Sequence, residues 1–206
     1  MKKKKITTTL FCAALAFSVL TTGCSGNKTS SEEPVVSSDS QAKSGLDEQG
    51  EQSGRLVSFE AETLDGQTFT QEDMAQKDVT VINFWSTSCG PCIDELPDIA
   101  ELAESLPDNV QIITACLDGM EQTDFAKEIL DGAGFTGITL ISGKGDLGQL
   151  GSEIQYTPTT VVVDKEGNIV GDAIIGGQKN LDEVFTEAIN QALRSMGKTE
   201  ISGEEK

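Results

Sequence analysis

The sequence has no histidine. A zinc centre needs four ligands, and here it would be built without imidazole. Basic residues are scarce, with 15 lysines and arginines facing 34 aspartates and glutamates for a formal net charge of −19. Such a chain has little with which to neutralise phosphates, which argues against a nucleic-acid partner. No apolar run reaches the ~20 residues that a bilayer-spanning helix needs, so no permanent transmembrane helix is expected. No internal repeat is visible, which sets aside solenoids and arrays. Cysteine is sparse, and its distribution is uneven. Cys12, Cys24 and Cys116 stand alone, whereas Cys89 and Cys92 are two residues apart.

The first 23 residues read as an export signal. Met1 to Lys5 is basic, Ile6 to Leu20 is apolar, and small and hydroxylated residues precede Cys24. Thr21-Thr22-Gly23-Cys24 resembles the lipobox of bacterial lipoproteins, with Thr21 where leucine is commonest. The resemblance implies cleavage before Cys24, lipidation of its thiol, and retention at the outer face of the cytoplasmic membrane. The plainer alternative is an ordinary signal peptide with an incidental cysteine. Removing the signal takes away four lysines and no acid, moving the net charge from −19 to −23. Residues 24–54 are rich in Ser, Glu, Gln and Gly and cannot bury enough surface to offset their ordering entropy, so a flexible tether is expected.

The centre of the chain is Trp85-Ser86-Thr87-Ser88-Cys89-Gly90-Pro91-Cys92. It follows the apolar run Val79 to Phe84 and precedes a helical pattern. Cys89 therefore sits where a buried strand gives way to a helix. Free backbone N–H groups and the positive end of the helix dipole favour a thiolate there, and the thiolate is the form that attacks. Pro91 fits the first turn, where its missing N–H costs nothing. Cys92 lies one turn on, close enough to close a disulfide ring. Half a zinc site and a purely structural disulfide are the alternatives. The first lacks further ligands, and the second would be a poor staple, because a short ring removes little unfolded-state entropy.

Around this motif the sequence predicts strands alternating with helices over residues 55–197, followed by a polar tail over 198–206. Leu56 to Ala61 and Thr68 to Thr70 form a hairpin about a turn at Leu64 to Gln67. Gln71 to Gln76 is a short helical turn capped by Thr70. Val79 to Phe84 is a central strand buried on both faces. Cys89 to Leu106 is a helix in which Pro97 should cause a kink. Val110 to Leu117 and Ile138 to Ile141 are strands. Glu121 to Ala133 is a helix burying Phe125, Ile129 and Leu130, and Asp146 to Leu150 is a shorter one. Thr159 to Val163 and Asn168 to Ile174 are strands joined by a turn at Asp164 to Gly167, and Leu181 to Met196 is a closing amphipathic helix. The result is an α/β fold with a mixed central sheet flanked by helices on both faces. Cys116 reads as a buried core thiol.

Thr157-Pro158-Thr159 precedes one of these strands. Taken alone, Pro158 reads as a trans proline opening a strand, since cis accounts for only about 5–6% of X–Pro bonds. Joined to the Trp-x-x-x-Cys-Gly-Pro-Cys motif, it resembles the thioredoxin superfamily, and more closely the membrane-anchored extracytoplasmic thiol-disulfide oxidoreductases of the TlpA/ResA type. Phe59 to Gly66 is similar to that branch's added N-terminal hairpin. The likeness implies a thioredoxin fold, a redox disulfide between Cys89 and Cys92, and a cis Pro158 lying against it. It implies substrate docking by Trp85, Gly90, Pro91, Thr157 and Pro158. Glu95, by itself a solvated acid, becomes a proton-handling residue beside the dithiol. Asn83 stands where cytosolic thioredoxins carry a buried aspartate, and Ser88 replaces the usual bulky residue before the first cysteine.

The activity so implied is reduction of disulfides in exported proteins, with electrons resupplied by a CcdA/DsbD-type membrane donor, and no metal or cofactor is expected. Apocytochrome c, a secreted methionine sulfoxide reductase or a sporulation protein would be clients of the implied kind. Two other uses of the same fold remain open: a disulfide-inserting oxidase and a non-enzymatic client-binding lipoprotein. A peroxidase is disfavoured, because Thr87 is two places before Cys89 and not three.

Overall fold

The structure, a computed structural model, describes residues 54–202. The expected signal peptide, Cys24, the tether up to residue 53 and the last four residues of the tail lie outside them. No helix among the described residues is long and apolar enough to cross a membrane.

The described residues open with an antiparallel hairpin, β1 (Phe59–Glu62) and β2 (Thr68–Thr70), leading into the short helix α1 (Gln71–Met74). Thr70 starts α1 as expected, with its N–H and its hydroxyl both donating to the Asp73 carboxylate at 2.9 and 3.0 Å. Strand β3 (Val79–Trp85) then gives way to α2 (Gly90–Ser105), followed by β4 (Val110–Cys116), α3 (Thr123–Ala133), β5 (Thr139–Leu140), α4 (Gly145–Glu153), β6 (Thr159–Asp164), β7 (Ile174–Ile175) and α5 (Leu181–Ser195). The five-stranded sheet has the order β5-β4-β3-β6-β7, parallel across β5-β4-β3 and antiparallel across β3-β6-β7.

Every residue of β3 is buried, which is why the strand is apolar at every position but Thr80 and Asn83. Its side chains alternate between two cores. Val79, Val81 and Trp85 pack with Leu96 and Ile99 of α2, Leu130 of α3, and Phe185 and Ile189 of α5. Ile82 and Phe84 pack on the other face with Met74, Leu147, Leu150, Phe59 and Phe69. Each such side chain contributes roughly 1.5–3 kcal/mol on burial. The hairpin is fastened over the second core: the Asp146 carboxylate accepts the N–H groups of Val57 and Ser58 at 2.9 and 2.8 Å, and Leu64 N–H donates to Thr139 O. This is the thioredoxin fold with helices on both faces and a small N-terminal hairpin.

Two local expectations are corrected. Phe125 is 48% exposed rather than buried; α3 starts at Thr123, two residues later than expected, and turns Ala126 and Leu130 inward. The second strand of the last hairpin does not run from Asn168 to Ile174. Ile169 bridges to Val163 and Val170 N–H reaches Val162 O, but Gly171 (φ 73°) then leaves extended backbone, and pairing resumes only at Ile174. Helix α2 runs through Pro97 without a break. The ring faces outward there, and the missing N–H costs one hydrogen bond to the carbonyl four residues back.

Candidate active site

The β3–β4 ladder extends to the pair Trp85–Cys116, and one further bond, Leu117 N–H to Trp85 O at 2.8 Å, closes it. Beyond it Ser86 to Ser88 form a short loop, and Cys89 N–H donates to Ser86 O at 3.1 Å. Cys89 is the N-cap of α2 (φ −90°, ψ 99°), and Cys92 N–H points at its sulfur at 3.3 Å. The positive end of the helix is thereby directed at Cys89. The two cysteines form a disulfide. Cys89 is half-buried while Cys92 is 1% exposed, so an incoming group meets Cys89 first.

Pairing of β3 with β6 sets Thr159 opposite Phe84, bringing the preceding residues to the end of β3. The Thr157–Pro158 bond is cis, and the Thr157 carbonyl oxygen lies 3.5 Å from Cys89 Sγ. Gly176 N–H donates to Pro158 O at 2.8 Å, tying this corner to the segment after β7. Tyr156 stands exposed two residues before Pro158, and Gly90 and Pro91 are exposed between the two cysteines. Trp85 is placed differently from the docking role expected of it. It is fully buried, because the last residue of β3 points toward α2, where it packs in the same core as Cys92.

Glu95 is only 6% exposed, so it is not a solvated surface acid. Asn83 Nδ2 donates to its Oε1 at 3.0 Å and to Thr160 Oγ1 at 3.0 Å, and the Gln178 backbone supplies a further hydrogen bond. Burial pushes the Glu95 carboxyl above the ordinary range. The bonds from Asn83 and Gln178 oppose this, and Asp98 adds to it. Gly177 closes over the carboxylate: a Cβ there would lie 3.7 Å from Glu95 Oε2 and from Pro91 Cβ.

Cys116 is buried, and its thiol donates to Asp118 Oδ1 at 3.2 Å. Burial, with Asp118 alongside, pushes its pKa up to about 12, which disfavours the reactive thiolate there. Among the described residues no three histidine, cysteine or acidic side chains gather as a metal site. Thr87, Asp118, Gly176 and Gln178 also belong to the site, although no motif in the sequence marks them. The available signal is positional: Asp118 follows the expected strand Val110 to Leu117, and the strand ends of α/β sheets carry sites.

A half-buried cysteine at a helix N-terminus, disulfide-bonded to an enclosed one and faced by a cis-proline corner on a thioredoxin fold, defines a thiol-disulfide oxidoreductase. A family model described as Redoxin matches residues 50–184, and the chain belongs to that family. It is 30% identical over 137 residues to the thiol-disulfide oxidoreductase ResA of Halalkalibacterium halodurans, covering 66% of this chain and 75% of the relative. Among solved structures it resembles DsbF of MTB, in mixed oxidized and reduced forms (TM-score 0.54, 25% identity, 66% of this chain and 96% of that one). It also resembles the pneumococcal exposed lipoprotein thioredoxin Etrx1 of Streptococcus pneumoniae (TM-score 0.50, 26% identity, 67% and 98%).

Proposed function

We propose that the protein is a lipid-anchored extracytoplasmic reductase of disulfides in exported proteins. The observation that carries the reading is the asymmetry of the dithiol, with Cys89 reachable at the helix N-terminus and Cys92 enclosed behind it. In the reduced enzyme the Cys89 thiolate attacks one sulfur of a client disulfide. A mixed disulfide forms and the other client sulfur leaves as a thiolate. Cys92 then attacks Cys89, the Cys89–Cys92 bond re-forms, and the client departs with two electrons and its second thiol. Glu95 accepts the Cys92 proton during this second step. Thr157, Pro158, Gly90 and Pro91 provide the docking rim, and Trp85 backs the dithiol from the core.

Regeneration needs a membrane dithiol donor of the CcdA/DsbD type, because an oxidising exterior supplies no thiol pool. Cys24 carries the anchor in this reading, residues 1–23 are the signal, 24–54 the tether, 55–197 the catalytic domain and 198–206 a tail. The named likeness to an exposed lipoprotein thioredoxin supports the anchoring. Cytochrome c maturation is one process that would use such a reductase.

The test offers the protein two clients. The reduced form should reduce the insulin disulfides and precipitate the freed chain. Failure there, with oxidation of a reduced unfolded client by the disulfide form, would instead mark an oxidase. Cys24→Ala should release the protein from the membrane fraction; retention there would refute the lipid anchor.

A further inference from the structure

We propose that Asp118 is a positioning residue for Cys89, clamping the Ser86–Ser88 loop through Thr87 so that the attacking sulfur is held against Thr157. The backbone ladder between β3 and β4 stops at Trp85 and Cys116, with Leu117 N–H as its last rung. Asp118 continues the tie by side chain. Thr87 N–H donates to its Oδ1 at 2.9 Å and Oδ2 at 3.2 Å, and the Thr87 hydroxyl donates to Oδ2 at 2.7 Å. The Cys116 thiol takes the remaining side of Oδ1 at 3.2 Å. Both carboxylate oxygens are thus engaged by donors fixed in β4 and in the loop itself. Bonds to a charged acceptor are stronger than neutral ones.

The aspartate is itself held. Gly119 N–H bonds Cys116 O at 3.1 Å, and Gln122 N–H bonds Asp118 O at 3.0 Å where α3 begins. Gly119 has no room for a side chain, since a Cβ would meet Ile141 Cγ2 at 2.6 Å. The turn that aims Asp118 is therefore pinned between β4, α3 and β5. Burial opposes charge on Asp118, yet the bonds from Thr87 and Cys116 prevail and keep its carboxyl below the ordinary range. At the other end, Thr87 is 7% exposed and only two residues from Cys89, whose N–H is bonded to Ser86 O inside the same loop. Movement of Thr87 moves the sulfur. Disulfide exchange needs the attacking sulfur aligned with the client's disulfide, and small misplacements of reacting groups are costly.

The clamp rests on the reading of Cys89 as the attacking thiol, and the experiment separates the two. In the reduced full chain, exchange with glutathione disulfide is timed beside alkylation by iodoacetamide, which needs a thiolate but no alignment. Thr87→Val keeps shape and N–H but loses the hydroxyl; Asp118→Asn loses the charge and one acceptor. Both should slow exchange about tenfold or more while slowing alkylation less, and Thr87→Ser should restore exchange. Wild-type exchange rates in folded Thr87→Val and Asp118→Asn, with only a lowered melting temperature, would overturn the clamp. Exchange persisting in Cys89→Ser would overturn the assignment of the attacker instead.

Discussion

Cys89 Sγ lies 3.5 Å from the carbonyl oxygen of Thr157, a residue 68 positions further along the chain. The approach is produced by the sheet: β3 carries the cysteine loop out of its C-terminal end, and antiparallel β6 delivers the Thr157–Pro158 corner to the same edge. With Cys92 enclosed beneath, the geometry predicts unequal single variants. Cys92→Ser should accumulate a stable mixed disulfide with a client, visible by mass spectrometry and reversed by dithiothreitol. Cys89→Ser should trap none. Equal trapping by both would contradict the asymmetry.

Glu95 supplies a pH prediction. Its folded-state pKa is raised, chiefly by burial, so the folded form binds the proton more tightly than the unfolded form does. The protonated acid therefore favours folding fully below the unfolded value of about 4.3, and that advantage is lost as pH rises through the folded pKa. Glu95→Gln is neutral throughout. The melting temperature of Glu95→Gln minus that of wild type, both oxidised, should rise as pH goes from acid to neutral. A difference that is flat or falls with pH would show that Glu95 is not held against ionisation.

Much of this site was legible in the sequence, for physical reasons. The dithiol is legible because two cysteines at helical spacing after an all-buried strand leave few other uses, and β3 is legible because burial on both faces demands a nearly continuous apolar run. The cis proline was legible only through resemblance, since Thr-Pro before a strand suits trans equally well. The depth of Glu95 was hidden because its burial depends on Asn83 from β3 and on Gly177 and Gln178 from beyond β7, contacts that no local pattern records. Phe125 is not legible because two faces of α3 carry apolar residues at a spacing of four, Phe125 with Ile129 and Ala126 with Leu130, and packing turns the second pair inward.

Cys116 should behave as a silent thiol. Its pKa of about 12 leaves almost no thiolate at neutral pH, and the side chain is buried. In the reduced native protein, iodoacetamide should label Cys89 and spare Cys116, which becomes reactive only in denaturant. Native labelling of Cys116 at a rate near that of Cys89 would contradict this placement.

The two cores predict a contrast within the helices. Leu96 is fully buried between α2 and β3, and Leu96→Ala should cost about 2–5 kcal/mol in urea unfolding. Phe125 is largely exposed, and Phe125→Ala should cost less than about 1 kcal/mol. Similar losses at both positions would mean that α3 is rotated from the orientation described.

The reduction potential of the Cys89–Cys92 pair, obtained by equilibrating the protein in dithiothreitol or glutathione buffers, tests the reductase reading most directly. Thioredoxin's value is about −270 mV and that of the strong oxidant DsbA about −120 mV. The account predicts a potential near the first. A value near the second would contradict it and make disulfide insertion the function of this dithiol.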